Sequence, residues 1–356
     1  MVAGPYGKFY LYMKLIEAFL FSEVHERDLL LLKFKLSNGL IDEWIICENA
    51  YSHQGDYTGL IARNLIENDA AFEEYRNKIK YIEGNRQFDI IDKTKKQDNL
   101  AFKCENWQRE LGYDYFMKNY DNEDCILIHD VDEMCDFTDK RRADEFFLKL
   151  KEIKHKGMMQ VPRLRFWYDF DNKFEQLYGS VVCSKSFLLR NPRLTFSEMR
   201  RLYTSQPDSG WNNIIVFEYS SCYTFDALMR KMDTNPHTGV NRQAVERALR
   251  CNHRAIPLFD LEKKLKPTRK FFFEKVKLDE TNSPQYVRDN LQNLRTNIVD
   301  ENYQQNRERE YPHFYTLKYK LIDANIDSFK KIRKKFLKKI RFLSRKLKVE
   351  KLIYGS

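Results

Sequence analysis

The stretch that decides the fold is CILIHDVDE, residues 125–133. Residues 125–129 form the most strand-like run of the chain, and three carboxylates follow at once, at Asp130, Asp132 and Glu133. In an open α/β sheet, ligands bind outside the carboxyl ends of the strands. The sequence therefore predicts a ligand site where this strand ends.

Short apolar and aromatic runs alternate with helical patterns on both sides of this stretch, which is typical of an α/β sheet. The patterns predict strands over residues 9–21, 44–47, 78–82, 125–129, 158–169 and 180–189. They predict helices over 26–36 and 101–120, and helices dominate after about residue 241. We expect one main domain over 1–300 and a helical extension over 301–356.

The positive charge of the chain is concentrated at one end. The total is +10, and residues 329–356 hold nine Lys, three Arg and one Glu, a charge of +11. The other 328 residues therefore carry −1. A neutral main domain argues against a basic cleft for nucleic acid, so nucleic acid is not expected as its partner.

Cysteine usage and hydropathy indicate the setting of the protein. The seven cysteines form no C-x-x-C pair and several lie in apolar runs, which favours free thiols and a reducing, cytoplasmic compartment. The apolar stretch 9–21 contains Lys14 and Glu17 and is too short to span a bilayer. We expect a soluble protein, at most peripheral on the cytoplasmic face of a membrane.

Asp130 and Asp132 are the candidate metal ligands. Carboxylates are hard oxygen ligands that suit Mg²⁺ or Mn²⁺, with diphosphate oxygens and water completing the coordination shell. A metal placed here acts as a Lewis acid on a departing diphosphate. The alternative is chance, because 52 acidic residues will produce an Asp-x-Asp without function.

The surroundings of this acid pair resemble glycosyltransferase family 17, the family of β-1,4-mannosyl-glycoprotein β-1,4-N-acetylglucosaminyltransferase. The likeness spans residues 14–295 as an ordered series. The matching segments are EAFLF at 17–21, IDEWIICENA at 41–50, SHQG at 52–55, KIKYI at 78–82, Trp107, Glu110, ILIHDVDE at 126–133, Arg200, Gly210-Trp211, KMD at 231–233, His237, PQYV at 284–287 and Asn290.

This resemblance implies a catalytic domain of GT-A type, with a mostly parallel twisted sheet flanked by helices. It implies an inverting transfer from a UDP-sugar, by analogy UDP-N-acetylglucosamine, to a glycan or glycolipid acceptor, with Mn²⁺ or Mg²⁺. Asp130 and Asp132 are then the donor and metal carboxylates, and Asp132 is the expected direct ligand. The family's animal members are secretory, so a reducing compartment suggests a microbial or viral source.

Other site residues follow from the same resemblance, each with an alternative. His237 resembles a histidine that completes the metal shell, or it is a surface residue at a helix end. Glu48 and the turn 52–55 are expected to face the nucleotide. Trp211 stacks on a sugar, or it is a core tryptophan. Asn212 and Tyr113 depart from the family's histidine and arginine, which bears on donor and acceptor preference.

An inverting transfer also needs a carboxylate base that takes the proton of the acceptor hydroxyl. Asp208 is the first candidate and Glu218 the second. Acidic residues in loops are more often only solvated, so both assignments are weaker than that of the acid pair.

The basic tail repeats apolar residues at helical spacing, at Ile332, Phe336, Ile340, Leu343 and Leu347. This is one face of an amphipathic helix, which predicts binding of residues 329–353 to an anionic membrane. The alternatives are docking on the protein itself and, more weakly, nucleic acid. Two other functions stay open for the whole chain: a nucleotidyltransferase, and an inactive scaffold bound to membrane or nucleic acid.

Overall fold

The computed structural model describes residues 13–22, 24–53, 55–88, 98–167, 169–200, 210–220, 222–223, 227 and 274–294. These residues belong to one compact unit, over 1–264 and 272–300. The predicted extension over 301–356, Asp208 and His237 lie outside the described residues. Of the region predicted to be helical after residue 241, the structure describes residues 274–294, which hold two short helices and one two-residue strand.

The described elements alternate between strands and helices. The strands are β1 Leu15–Leu20, β2 Glu43–Asn49, β3 Ile79–Gly84, β4 Cys125–Asp130, β5 Glu133–Cys135, β6 Met158–Trp167, β7 Asn172–Ser184, β8 Val216–Ser220 and β9 Glu274–Lys275. The α-helices are α1 Arg27–Ser37, α2 Ala62–Asn68, α3 Asp98–Asn119, α4 Lys140–Lys156, α5 Lys185–Arg190, α6 Phe196–Arg200, α7 Gln285–Asp289 and α8 Leu291–Leu294. Short 3₁₀ helices cover Val24–Glu26 and Ala70–Lys78.

The sheet is mixed, and its parallel part carries the predicted site. Its order is β3-β2-β1-β4-β7-β6-β8-β5, with β9 paired to β7. β3, β2, β1 and β4 are parallel neighbours, and β6 is parallel to β8. The β4–β7, β6–β7, β5–β8 and β7–β9 pairs are antiparallel. The α/β class with helices beside a sheet is confirmed.

Alternation along β1 builds a core on each face of the sheet. Leu15 and Phe19 belong to one buried cluster, with Phe34 of α1 and Phe146 of α4. Ile16, Ala18 and Leu20 belong to the other, which includes residues of α3, α5 and α6. Helices thus cover both faces, as a strand that is buried on both sides requires.

The sheet must curl back on itself at the acidic stretch. Asp130 ends β4 and Glu133 begins β5, yet β7, β6 and β8 lie between these two strands in the sheet order. Four strand spacings in a flat sheet measure about 19 Å, whereas three residues reach at most about 11 Å. The turn at 131–132 therefore joins two parts of the sheet that curvature brings together.

Two local signals set the beginning and the end of helix α4. Asp139 begins α4 because its side chain accepts a hydrogen bond from the backbone N–H of Arg141. Gly157 ends α4 with a φ of 80°, and a Cβ there would lie 2.4 Å from Cδ2 of Phe187. Only glycine fits both the backbone angle and the contact.

The predicted strand over 180–189 is wrong in its second half. β7 ends at Ser184, and α5 begins at Lys185. The hydroxyl of Ser184 accepts a hydrogen bond from the N–H of Phe187, so the serine caps the helix. The apolar residues that follow belong to a short helix, which periodicity alone does not separate from a strand.

Two findings bear on the predicted compartment and on the predicted relation to a membrane. The six cysteines within the described ranges are buried thiols that form no disulfide bond with one another, and Cys251 lies outside these ranges. Among the residues that the structure describes, none of the helices combines the length and the apolar character needed to cross a bilayer.

Candidate functional site

The acidic stretch lies at the carboxyl edge of the parallel strands. Asp130 is the last residue of β4, and its neighbour across the sheet is Leu20, the last residue of β1. Cys47 of β2 pairs with Leu20 in turn. Because β1 to β4 are parallel, the segments that follow β1, β2 and β4 meet at one edge. This is the place where the sequence predicts a ligand.

Two arginines hold the carboxylate of Asp130. Arg109 of α3 contacts its Oδ1 at 2.8 Å, and Arg200 of α6 contacts its Oδ2 at 2.6 Å. Burial by itself raises the pKa of Asp130, but Arg200 and Arg109 outweigh it and hold the pKa well below its usual range. Asp130 is therefore an ionised group whose two oxygens both face guanidinium ions.

These contacts continue as an alternating chain of arginines and carboxylates. In order, the chain runs through Arg109, Asp130, Arg200, Glu133, Arg163, Glu218 and Arg165. Its members come from α3, α6, β4, β5, β6 and β8. Because each arginine can bridge two carboxylates, the chain ties the two parts of the curled sheet together at the acidic turn.

Glu218, the second candidate base, is a member of this chain. Its Oε1 lies 2.7 Å from Nε of Arg165, and its Oε2 lies 3.0 Å from Nε of Arg163. The side chain is buried, and Glu218 pairs with Glu133 across β8 and β5. The structure thus places Glu218 beside the acidic turn, with each oxygen facing an arginine.

The buried ammonium group of Lys33 binds the backbone of the acidic turn. Lys33 of α1 lies 2.7 Å from Oε1 of Glu17, and its ammonium also donates to the backbone carbonyls of Asp130, at 3.2 Å, and of Glu133. An ammonium group has three N–H donors, and these three acceptors match them. Lys33 therefore fixes the backbone on both sides of Asp132.

Glu17 in β1 holds this lysine in place. Its other partners are His129, with Nδ1 at 2.7 Å from Oε1, and the indole N–H of Trp44, at 3.1 Å from Oε2. Burial raises the pKa of Glu17, but Lys33 and His129 outweigh it and lower the value to about 2. Burial lowers the pKa of His129 to about 4, so the ring is neutral and donates from Nδ1.

Asp132 stands at the apex of the turn, with a half-buried side chain. Its backbone carbonyl accepts a hydrogen bond of 2.9 Å from the N–H of Tyr219, which secures the turn against β8. Within the described residues, no three His, Cys, Asp or Glu side chains form a metal-binding group. Mg²⁺ is commonly held by one or two carboxylates together with substrate phosphates, so one carboxylate at this edge fits such an ion.

The contacts of Asp130 bear on its predicted role as a metal ligand. Both of its oxygens are engaged by Arg109 and Arg200, so a direct metal contact there requires the loss of an arginine contact. Asp132, which the family resemblance favours as the direct ligand, stays the predicted one. His237, the third predicted ligand, lies outside the described residues.

Glu48 lies at the end of β2 and caps a helix. Its two oxygens accept hydrogen bonds from the backbone N–H groups of Ile61, at 2.6 Å, and Ala62, at 2.9 Å, at the start of α2. Burial raises the pKa of Glu48 to about 7, against the effect of these two bonds. The two bonds account for both oxygens, and the predicted contact of Glu48 with a nucleotide stays a prediction.

Trp211 packs on the face of the sheet that α1 and α4 cover. Its indole N–H donates to the carbonyl of Gln160 at 3.0 Å, and its ring centroid lies 6.1 Å from that of Phe146 in α4. The half-buried ring contacts the core cluster that contains Phe146. This arrangement matches the alternative of a core tryptophan and leaves the sugar-stacking role without support.

The arginines of the site are not predictable from the sequence. Arg200 is only a point of resemblance to glycosyltransferase family 17, and the sequence predicts no role for Arg109, Arg163 or Arg165. Each reaches a carboxylate at least 20 positions away in the chain or on another strand, and no local pattern encodes such contacts. Arg109 lies four residues after Glu105 on the same helix and contacts it at 2.6 Å. This i,i+4 spacing is the one local signal of an ion pair at the site.

Comparisons with known proteins leave the family open. No family model matches the sequence, and no curated protein matches it. Among solved structures, mannose-6-phosphate isomerase from Helicobacter pylori is 13% identical, over 60% of this chain and 88% of that chain, with a TM-score of 0.26. A likeness at this level carries no conclusion about function.

Proposed function

We propose that this chain is a metal-dependent glycosyltransferase that moves a sugar from a nucleoside diphosphate to a glycan acceptor. The observation that supports it most is the half-buried Asp132, set at the carboxyl edge of parallel strands in a turn that Lys33 and the arginine chain fix. The GT-A fold, inversion, and UDP-N-acetylglucosamine as the donor rest on the resemblance to glycosyltransferase family 17 and belong to the same proposal.

The described residues of the candidate site have separate roles in this proposal. Asp132 holds Mg²⁺ or Mn²⁺, which when bound neutralises charge on the leaving diphosphate. Arg109 and Arg200 hold the carboxylate of Asp130 in one orientation. Lys33 keeps the turn in one conformation, so the carboxylate does not need to reorganise when the donor binds.

The base that accepts the proton of the acceptor hydroxyl is assigned to Asp208, outside the described residues. Glu218 is the weaker candidate because Arg163 and Arg165 face its two oxygens. A base must reach the acceptor hydroxyl within hydrogen-bond distance, and a carboxylate that is held by two arginines first has to leave them.

The experiment is release of free nucleoside diphosphate from a panel of sugar donors, with and without Mn²⁺. We expect metal-dependent release of UDP, lost in Asp132→Asn and kept in the control Asp114→Asn, which changes an exposed aspartate on α3. Release of inorganic diphosphate from a nucleoside triphosphate instead would show a nucleotidyltransferase. Absence of any metal-dependent turnover would favour the inactive scaffold.

A further inference from the structure

The start of helix α2 is held by one buried carboxyl group from another element. Glu48 is 3% exposed and is the last but one residue of β2. Its oxygens accept hydrogen bonds from the N–H groups of Ile61, at 2.6 Å, and Ala62, at 2.9 Å. The N-cap residue Ile61 offers no side-chain hydrogen bond of its own. The first turn of α2 therefore depends on a residue 13 positions earlier in the chain.

Two further carboxylates lie beside Glu48. Glu83 is its neighbour across β2 and β3, and Glu26, which is 6% exposed, ends the 3₁₀ helix that follows β1. Both disfavour a negative charge on Glu48. Arg63 of α2 pairs with Glu83 at 3.1 Å, and within the described part of the chain no lysine or arginine forms an ion pair with Glu48. A charge on Glu48 is thus buried next to like charges without a cation.

Tyr81 of β3 is also close enough to Glu48 for the two side chains to interact electrostatically. Burial raises the pKa of Tyr81 to about 12, and Glu67 acts in the same direction, whereas Arg63 and Arg76 oppose it. The phenol is therefore neutral at and below neutral pH and adds no charge beside Glu48. Tyr81 does not contribute to a pH dependence of this cluster in that range.

The surroundings of Glu48 favour its protonated form. Burial is the largest effect, and Glu83 and Glu26 add to it. The two backbone hydrogen bonds from α2 favour the ionised form but do not outweigh these effects, and the balance raises the pKa of Glu48 from 4.5 to about 7. A protonated carboxyl group still accepts a hydrogen bond through its carbonyl oxygen and brings no charge into the core.

Two states of the first turn of α2 therefore differ in proton binding. In the closed state Glu48 is buried, and its pKa is about 7. In an open state, in which water hydrates the carboxyl group, its pKa returns to about 4.5. Because the closed state has the higher pKa, its advantage over the open state is complete below pH 4.5 and is lost as the pH rises to 7. Rising pH thus favours opening.

We propose that protonation of Glu48 controls a local opening of the first turn of α2, which is closed onto β2 in acid and whose open state becomes more populated toward neutral pH. The opening breaks the hydrogen bonds from Ile61 and Ala62 and leaves the pairing of β2 with β1 and β3 intact. A helix of seven residues opens at a lower free energy than the centre of a sheet. Because the turn lies at the end of β2, its opening changes the border of the candidate site, whether or not the chain transfers sugars.

The test is amide hydrogen exchange of the full chain between pH 5 and pH 7, read by NMR at Ile61 and Ala62 and corrected for the intrinsic pH dependence of exchange. In the wild type, the protection of these two amides is expected to fall about tenfold over this range, because the open state releases the proton of Glu48. In Glu48→Gln the side chain does not titrate, so the protection should not depend on pH.

Two controls accompany this measurement. Glu67→Gln changes an exposed carboxylate on the same helix and should keep the fall seen in the wild type. The amide of Leu127, in the core of β4, reports unfolding of the whole domain and should be better protected than that of Ile61. Equal protection of Ile61 and Leu127 at every pH would overturn the proposal, because both amides would then exchange through global unfolding. Constant protection in the wild type also overturns it, as does a fall that persists in Glu48→Gln.

Titration of the wild type gives a second measurement that needs no variant. The carbon-13 chemical shift of the Glu48 carboxyl group follows its ionisation directly. A midpoint near pH 7 supports the proposal. A midpoint near pH 4.5 overturns it, because the closed and open states would then bind the proton equally well.

Discussion

Glu17 of β1 and Lys33 of α1 form an ion pair of 2.7 Å in which both side chains are completely buried. Burial of two charges is costly unless their remaining hydrogen-bonding groups are satisfied. Here Trp44 and His129 bind the carboxylate, and two backbone carbonyls of the acidic turn bind the ammonium. The pair is therefore both a core contact and the support of the candidate site.

The first prediction concerns the loss of one partner. Lys33→Met leaves the charge of Glu17 buried without its cation, so we expect a loss of about 3–5 kcal/mol in the free energy of unfolding. The double variant Glu17→Gln/Lys33→Met should lose less unfolding free energy than Lys33→Met, because it leaves no unpaired buried charge. Urea denaturation measures both, with Lys118→Met on the exposed face of α3 as the control. A double variant less stable than the single one would contradict the pairing.

The second prediction is a dependence of stability on pH. The folded-state pKa of His129 is about 4, below the ordinary value of about 6.5, so the unfolded chain binds more protons between these values. Stability conferred by the neutral ring is therefore lost as the pH falls from 6.5 to 4, with a slope of up to about 1.4 kcal/mol per pH unit. Glu17, with a pKa of about 2, extends the loss below pH 4.5.

His129→Gln isolates this contribution, because glutamine does not titrate and can still donate to Glu17. The unfolding free energy of the variant should depend less on pH between 4 and 6.5 than that of the wild type. Glu48 has a raised pKa of about 7 and acts with the opposite sign over 4.5 to 7. The comparison is therefore made between the two proteins, and equal slopes would speak against the buried neutral ring.

The third prediction concerns the arginine that joins the two acidic residues of the turn. Arg200 contacts Asp130 at 2.6 Å and Glu133 at 2.6 and 2.9 Å, and a lysine ammonium cannot reproduce this forked geometry. Arg200→Lys should lower the unfolding free energy by about 2 kcal/mol, on the scale of one charge-assisted hydrogen bond. Arg190→Lys, at an exposed position of α5, should be neutral within about 0.5 kcal/mol.

The fourth prediction tests the role of Glu48. Because its carboxylate accepts from two N–H groups at the start of α2, Glu48→Ala should cost about 1–2 kcal/mol of stability. Glu67→Ala, an exposed position of the same helix, is the control. Calorimetric UDP affinity of Glu48→Gln, measured alongside, decides whether the residue also contacts the nucleotide.

The fifth prediction addresses the basic tail, which rests on sequence alone. Deletion of the residues after Ser328 removes +11 of charge and one apolar face, so binding to vesicles that contain anionic lipid should fall. Metal-dependent release of UDP should persist. Vesicle sedimentation at low and high salt measures the first effect, and undiminished binding of the shortened chain would exclude a membrane role for the tail.

The parallel half of the fold was predictable because its signals are local. Runs of apolar residues gave β2, β3, β4 and the helices α1 and α3 to within a few residues. The long pair β6 and β7 was only partly predicted, since residues 172–179, NKFEQLYG, mix polar and apolar side chains and do not show the pattern of a buried strand. Helix α4, which begins at the cap Asp139, was not predicted at all.

The candidate site likewise has a part that local sequence predicts and a part that it does not. The position of Asp130 and Asp132 at the end of a strand follows from the sequence, because a carboxyl edge is defined by local structure. The partners of Asp130 and the support from Lys33 are contacts between residues that lie 21 to 100 positions apart in the chain. Such contacts depend on how the sheet is ordered, which composition and periodicity do not specify.

The short link between β4 and β5 has a consequence for reading related chains. Two residues span the join between halves of the sheet, so the length of this segment is required by architecture whether or not a metal is used. On the proposed function, a homologue that has lost catalysis is expected to keep this spacing and to change the side chain at position 132. The residue at position 132, and not the length of the segment, then distinguishes homologues that keep the proposed activity from those that have lost it.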